Sequence, residues 1–146
     1  MRSKYSRTNR IYGTANTSKF NFDSNALFRQ KEILEIEGYE EVLKFSDSDT
    51  GLLAIIAIHS TQLGPAIGGT RIQPYPSFQD GLEDVLRLSQ GMSYKTSFVD
   101  GRSGGAKSVI FYDSKNGVPE SLLQSFSEAI KNYIHDTKRT LTKKVY

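Results

Sequence analysis

Two lysines twelve residues apart carry the chemistry that this sequence most clearly suggests. Lys95 ends an apolar helical face that includes Met92, and Lys107 follows three small residues at 104–106. A lysine on such a face is directed inward, where its ammonium meets an anion in a pocket or extends along the protein to water. Two amines that bracket one glycine turn favour the anion pocket. Burial beside a like charge also favours the neutral amine, which can act as a base near neutral pH.

A second glycine segment, residues 63–71, reads LGPAIGGTR and contains the adjacent glycines Gly68 and Gly69. Adjacent glycines leave backbone N–H and C=O groups open to a ligand that lies on them. The alternative is a tight bend or a bulge. The segment alone does not separate these two interpretations.

Other kinds of site find little support. Residues 101–108 read GRSGGAKS and miss the P-loop pattern only at Ala106. A P-loop has a strand before its glycines and a helix after them, and here that order is reversed, so no nucleotide-phosphate site is predicted. The chain has no Cys, and its only histidines are His59 and His135. Neither a metal centre nor a Ser-His-Asp arrangement is therefore predicted.

The elements that must position these residues follow from hydrophobic periodicity. Residues 39–45 and 52–58 are predicted strands of a hairpin, and the second is apolar on both faces, which places it inside a sheet. A loop or sharply bent strand is expected over 64–71. A helix begins at the capping residue Ser77 and continues to Lys95, since its apolar residues recur at spacings of three and four.

The remaining pattern completes an α/β fold. Residues 100–105 predict a turn, 109–112 a short strand, and Pro119 the start of a second amphipathic helix whose apolar face is Leu122, Phe126, Ile130 and Tyr133. The order β-β-loop-α-β-α predicts a mixed β-sheet with helices packed on it.

Composition indicates one ordinary globular domain. The 146 residues are 37% hydrophobic and 24% charged, and the longest apolar run, 52–58, is far too short to cross a bilayer as a helix. The formal charge of +3 divides into +5 over 1–19, −6 over 20–136 and +4 over 137–146. We therefore expect a disordered basic tail over 1–19, a folded body over 20–136 and a basic tail over 137–146.

These features also limit partners and location. The excess charge is too small to predict nucleic-acid binding, and no membrane partner is predicted. A cytoplasmic protein is expected, with an organelle as the alternative if residues 1–19 are a transit peptide.

Five segments, in order, resemble a known family. They are LAIIAIH at 53–59, LGPAIGGTR at 63–71, LRL at 86–88, GMSYK at 91–95 and GGAKSVI at 104–110. Together they are similar to the N-terminal domain of the Glu/Leu/Phe/Val amino-acid dehydrogenases, and most of all to leucine dehydrogenase. The resemblance extends over residues 38–134.

The resemblance implies NAD-dependent oxidative deamination of a branched-chain L-amino acid to its 2-oxo acid and ammonia, usually in an oligomer. Lys107 would then be the catalytic lysine that assists proton transfer, and Lys95 would pair with the substrate carboxylate. Gly68 and Gly69 would lie against the main-chain end of the substrate, and Ile67 would line an apolar side-chain pocket.

The sequence also departs from the family pattern. Ala106 replaces a third glycine, and Gly101 stands where an apolar residue is usual. The Ala-Glu-Asp segment with the catalytic aspartate is not found, and Asp136 does not occupy its context. No G-x-G-x-x-G follows a strand, so we expect this chain to contain no NAD-binding domain. We therefore expect either a substrate domain that needs a cofactor-domain partner, inactive alone, or a non-catalytic assembly module.

Overall fold

A computed structural model describes residues 29–137 of the chain. Its elements, in order, are β1 Arg29–Leu34, β2 Glu41–Asp47, β3 Leu52–Ser60, β4 Ala66–Ile67, β5 Thr70–Gln73, α1 Phe78–Val99, β6 Gly104–Phe111, a short 3-10 helix Ser114–Asn116 and α2 Glu120–Thr137. The predicted tail over 1–19 and residues 138–146 lie outside the described residues, so those two predictions stay predictions.

The six strands form one mixed sheet, which confirms the predicted α/β class. The strand order is β1-β2-β3-β6, with β4 and β5 both along the other edge of β6. β1, β2, β3 and β6 pair antiparallel, whereas β4 and β5 run parallel to β6. β6 is therefore an interior strand, with the hairpin strand β3 on one side and the diglycine segment on the other.

β3 is buried on both faces, as its continuous apolar run predicts. Ile55 and Ala57 pack with Leu82 and Val85 of α1 on one face. Ile56 packs on the opposite face with the buried side of α2. Because side chains alternate along a strand, the two helices cover opposite faces of the sheet.

Both helices begin where the sequence indicates. The Ser77 side chain caps α1 by accepting a hydrogen bond from the Asp80 N–H at 3.2 Å, and its backbone is extended, as a capping residue requires. α2 begins just after Pro119. Its inward face is the predicted one, with Leu122, Phe126 and Tyr133 buried.

Four features differ from the sequence-based expectations. β1 was not predicted, and the expected bent strand over 64–71 is the pair β4 and β5 interrupted at the two glycines. The predicted strand 109–112 begins at Gly104, so part of the expected 100–105 turn belongs to β6. α1 extends four residues beyond Lys95. Glycine has little intrinsic strand preference, so pairing with β3 and β4 determines where β6 starts.

Within residues 29–137, neither helix is both long and apolar enough to cross a membrane.

Candidate functional site

Lys107 lies in the middle of β6, directly beside the diglycine. The parallel register pairs Ile67 with Gly105 on one side of the break and Thr70 with Ser108 on the other. The same register continues across the break, so β4 and β5 form one strand line interrupted at residues 68–69. Gly69 is consequently the neighbour of Lys107 on the adjacent strand.

The diglycine is held tightly against the Lys107 peptide. A Cβ added at Gly68 would lie 1.8 Å from the Ala106 carbonyl oxygen and 3.1 Å from the Lys107 nitrogen, so only glycine fits there. The Ser108 N–H donates to the Gly69 carbonyl at 3.1 Å. The hydroxyls of Thr70 and Ser108 share a further hydrogen bond of 2.7 Å. These contacts hold the diglycine at a fixed distance from β6.

Alternation assigns Lys107 to the α1 side of the sheet. Val109 packs in the α1-side cluster, whereas Ala106 and Ile110 pack in the α2-side cluster. Lys107, two residues before Val109, shares the α1 side with it and is half-buried. Ile67 shares this side too, because its neighbour Ala66 packs on the α2 side.

Lys95 stands on the same side of the sheet, in the helix that covers it. Its side chain is exposed, so the expectation of an inward-directed lysine is wrong in this structure. The reason is helical geometry: the inward position is the buried Thr96, and Lys95 lies about 100° around the helix from it. The structure thus brings together Lys107, Gly68, Gly69 and Ile67, with Lys95 at the rim of the same side.

One hydroxyl contact and one close backbone approach fasten the part of α1 that carries Lys95. The buried Thr96 hydroxyl lies 2.9 Å from the Ser103 carbonyl, just before β6 begins. Ser93 packs on Gly105, where an added Cβ would lie 2.1 Å from the Ser93 nitrogen. This close approach of helix and strand requires the glycine.

His59 is a polar neighbour of this region that the sequence reasoning dismissed. Its Nδ1 lies 2.8 Å from the Ser93 Oγ. Partial burial lowers the pKa of His59 below its ordinary 6.5, and the nearby charge of Glu40 only partly opposes that effect. One feature of the sequence could have indicated His59: it ends the family-like segment 53–59, four residues before the glycine segment 63–71 begins.

At the opposite end of α1, a charged network joins the helix to β5. Asp84 accepts hydrogen bonds from Arg71 at 2.8 Å, from Tyr75 at 2.7 Å and from Arg87 at 2.8 Å. Burial by itself would raise the pKa of Asp84, but the three donors outweigh it and lower the pKa. Burial raises the pKa of Tyr75, and its bond to the Asp84 carboxylate raises it further.

Residues 29–137 form two concavities, and neither of them is a complete amino-acid pocket. A cavity of about 30 Å³ lies between the diglycine and α2, bordered by Ile130 and Tyr133, and it has room for one water. A groove of about 470 Å³ along residues 33–41 is lined by four glutamates and repels a carboxylate. Among residues 29–137, no three His, Cys, Asp or Glu residues are grouped to hold a metal ion.

Comparisons with known proteins point to one family. The chain matches the family described as "Glu/Leu/Phe/Val dehydrogenase, dimerisation domain" over residues 39–143. It is 49% identical over 94 residues to a phenylalanine dehydrogenase of Bacillus thermotolerans, covering 64% of this chain and 25% of that protein. It is 45% identical over 98 residues to a leucine dehydrogenase of Geobacillus stearothermophilus, covering 67% and 27%.

A solved structure gives the same result. The crystal structure of L-tryptophan dehydrogenase from Nostoc punctiforme superposes with a TM-score of 0.62 at 41% identity, covering 66% of this chain and 28% of that one. The chain spans about a quarter of the length of the curated relatives it matches, as the 25% and 27% coverages state. Since the family match includes well over half of its residues, the chain belongs to the Glu/Leu/Phe/Val dehydrogenase family and contains that family's dimerisation domain.

Proposed function

We propose that this chain is the substrate-binding domain, with the catalytic lysine, of an NAD-dependent L-amino-acid dehydrogenase that converts a hydrophobic, leucine-type amino acid to its 2-oxo acid and ammonia. The observation that carries the proposal is the placement of Lys107 beside Gly69, on the side of the sheet covered by the helix with Lys95. A leucine dehydrogenase and a phenylalanine dehydrogenase share 45% and 49% of the aligned residues with this chain, so identity does not separate the two substrates. The residues of the site are therefore the basis for proposing a hydrophobic substrate.

In the proposed role, Lys95 binds the substrate carboxylate and Lys107 transfers protons. The exposed Lys95 ammonium is free to swing onto a substrate carboxylate, and it contributes charge attraction and a hydrogen bond. The half-buried Lys107 Nζ takes and returns a proton while water adds to the substrate carbon and ammonia leaves. The diglycine, held against the Ala106–Lys107 peptide, has no side chains to separate its backbone groups from the substrate main chain.

An apolar substrate side chain suits the residues beside these amines. Ile67 lies on the same side of the sheet as Lys107 and is only half-buried. Arg71, the nearest arginine along the diglycine strand, is already paired with Asp84. Because that guanidinium is engaged, it is a poor partner for a second substrate carboxylate such as that of glutamate.

The described residues do not fit the cofactor. NAD, when bound, accepts the hydride, and its diphosphate usually rests on a glycine-rich helix start. Here α1 begins with Asp80 and α2 with Glu120 in their first turns, and a carboxylate at a helix N-terminus repels a diphosphate. We therefore assign no step of the reaction to NAD on residues 29–137, and a separate domain must hold it.

The test is ligand binding by the 146-residue chain labelled with ¹⁵N. Titration with the 2-oxo acid of leucine is expected to shift the amide resonances of residues 67–69 and 105–108, and 2-oxoglutarate is expected to bind more weakly. Lys95→Gln and Lys107→Gln should each reduce the affinity, whereas Lys115→Gln, an exposed lysine of the short 3-10 helix, should not. Equal affinity for both oxo acids, or shifts indifferent to both lysine variants, would contradict the proposal.

The alternative function is a non-catalytic assembly module, and the dimerisation description of the matched family favours it. Such a module would self-associate in sedimentation experiments yet bind no oxo acid. It would also give no deaminase activity when the remainder of a leucine dehydrogenase is added in trans. Activity under that complementation would exclude the module interpretation.

A further inference from the structure

We propose that His59 is a positioning residue for the two amines, acting through its hydrogen bond to Ser93. The inference rests on the proposed function, because it concerns where Lys95 and Lys107 stand relative to a shared substrate. It adds a residue on a third element, β3, whose side chain bonds to α1 and has no chemical step in the proposed reaction.

His59 occupies an irregular point in the β3–β6 ladder. The register pairs Ile58 with Ala106 and Ser60 with Gly105, so His59 is an extra residue with no partner of its own. A bulge of this kind changes the direction of a side chain and increases the local twist. Alternation along β3 already places His59 on the α1 side with Ile55 and Ala57, and the bulge leaves it without a strand partner beside the covering helix.

The hydrogen bond lies where helix and strand approach most closely. The His59 Nδ1 is 2.8 Å from the Ser93 Oγ, and a Cβ at Gly105 would lie 2.4 Å from that same oxygen. Lys95 follows Ser93 by two residues, and Lys107 follows Gly105 by two. Two strand residues span about 7 Å and two helical residues rise about 3 Å, so both lysines branch from backbone close to this contact. Any slip of α1 at Ser93 changes the separation of the amines.

The surroundings hold the imidazole in place and favour its neutral form. The rings of Tyr39 and Tyr94 stand edge-on to it, with centroids 5.2 and 6.4 Å away. The Tyr39 hydroxyl in turn donates to the Leu86 carbonyl at 2.8 Å, which ties the same group to the helix again. Glu40 is the carboxylate that acts on His59, and its oxygens already accept bonds from Thr61.

Removal of the His59 bond should leave the fold intact. Thr96, one helical turn later, holds α1 to the Ser103 carbonyl independently of His59. The apolar contacts of Leu82 and Val85 hold the other half of the helix. Loss of the imidazole contact therefore loosens residues 92–99 locally and does not unfold the domain.

The experiment compares three substitutions with different hydrogen-bonding atoms. His59→Asn keeps a polar atom near the Nδ1 position, His59→Gln places one near Nε2 instead, and His59→Leu has none. Ser93→Ala removes the partner, and Ser97→Ala is the matched control, because the exposed Ser97 hydroxyl bonds only within its own helix. Each variant of the 146-residue chain is measured by hydrogen exchange of the amides 92–99 and by affinity for the 2-oxo acid of leucine.

We expect His59→Leu, His59→Gln and Ser93→Ala to raise exchange rates at residues 92–99 and to weaken oxo-acid affinity, each roughly threefold to tenfold, as the loss of one hydrogen bond implies. His59→Asn should restore both properties, and Ser97→Ala should match the unmodified chain.

The two ways to fail are separate. If the unmodified chain binds the oxo acid and His59→Leu binds it equally, the positioning role is wrong while the proposed function stands. If His59→Asn fails to restore what His59→Leu loses, the hydrogen bond is not the cause and the inference is overturned. If the unmodified chain binds no oxo acid, the proposed function fails, and the role of His59 at a substrate site fails with it.

Discussion

The two halves of α1 are fastened to the sheet by different forces. The first half presents Leu82 and Val85 to the apolar core and adds the ion pair of Asp84 with Arg71 of β5. The second half presents small or hydroxyl-bearing residues, Ser93 and Thr96, to backbone atoms of the β6 region. The first arrangement tolerates small changes of distance, whereas the second depends on contacts between backbones. The helix thus has a scaffold half and a site half.

Exposure differs between the halves as well. Phe98 is 91% and Val99 76% exposed at the end of the site half, whereas Leu82 in the scaffold half is 1% exposed. Hydrophobic burial therefore contributes little to the position of the site half. That half must be held by specific polar contacts and by close approach at Gly105.

The largest expected effect comes from a methyl group at that close approach. Gly105→Ala places a Cβ 2.1 Å from the Ser93 backbone nitrogen, so the helix itself must move. We expect a loss of about 3 kcal/mol in the free energy of unfolding, measured by urea denaturation.

Two other glycines serve as matched controls for this substitution. Gly81→Ala, in the scaffold half, meets only the end of the Phe111 ring, which can rotate away, so its loss should be about 1 kcal/mol. Gly91→Ala meets nothing within 4 Å and should stabilise the helix by about 0.5 to 1 kcal/mol. A Gly105→Ala variant as stable as Gly81→Ala would remove the distinction between the halves.

The second prediction acts on the scaffold half alone. Asp84→Asn removes the charge that Arg71 and Arg87 share, and we expect a loss of about 1 to 2 kcal/mol in unfolding free energy. Oxo-acid affinity should not change, because the site half keeps its own contacts. The substitution should also alter the acid response: the lowered pKa of Asp84 stabilises the fold above pH 3.8, and that stabilisation is lost as pH falls through the folded-state pKa. A parallel loss of affinity would show that the halves are coupled.

Local sequence pattern was sufficient for the scaffold and insufficient for the site. The apolar run of β3, the Ser77 cap and the Leu122–Phe126–Tyr133 face of α2 each follow from neighbouring residues. β1 escaped prediction because it is a half-exposed edge strand, and such strands carry a weak pattern. The start of β6 at Gly104 depends on strand pairing, which no local propensity encodes.

The site residues illustrate the same limit. Residue types and spacing single out Lys107, Gly68 and Gly69, and the family resemblance supplies their roles, but their adjacency arises from a parallel register between segments 38 residues apart. Lys95 was expected inward because it continues the Met92 face, and a single helical step of about 100° places it at the rim. His59 was set aside because two histidines without a Cys predict no metal site, and its actual partner, Ser93, lies 34 residues away along the chain. Contacts between residues this far apart along the chain cannot be predicted from short stretches of sequence.

The third prediction compares how Lys95 and Lys107 contribute to oxo-acid affinity. Lys95→Gln, at an exposed position, should leave the unfolding free energy within about 0.5 kcal/mol of the unmodified chain, and Lys107→Gln, at a half-buried strand position, should cost no more than about 1 kcal/mol. Their effects on oxo-acid affinity should differ in kind. A rim ammonium acts mainly through long-range attraction, so the Lys95 contribution should fall steeply as salt rises, whereas that of the half-buried Lys107 should fall less. Identical salt dependence in the two variants would contradict their different placement.

The smallest expected effect is a pH dependence at His59, and it tests the site half by itself. Because burial lowers the pKa of His59 below 6.5, the unfolded chain binds a proton more readily than the folded chain. The unfolding free energy should therefore rise with pH in the range just below 6.5, and this stabilisation is lost as pH falls toward the folded-state pKa. Denaturation curves between pH 5 and 7 should show the slope in the unmodified chain and not in His59→Asn, which keeps the Ser93 contact without the titrating ring.

Glu40 faces the same imidazole, so Glu40→Gln should steepen the slope by removing the charge that opposes the lowered pKa. A slope that persists in His59→Asn would assign the titration to another group and leave the Ser93 contact without a proton-dependent role.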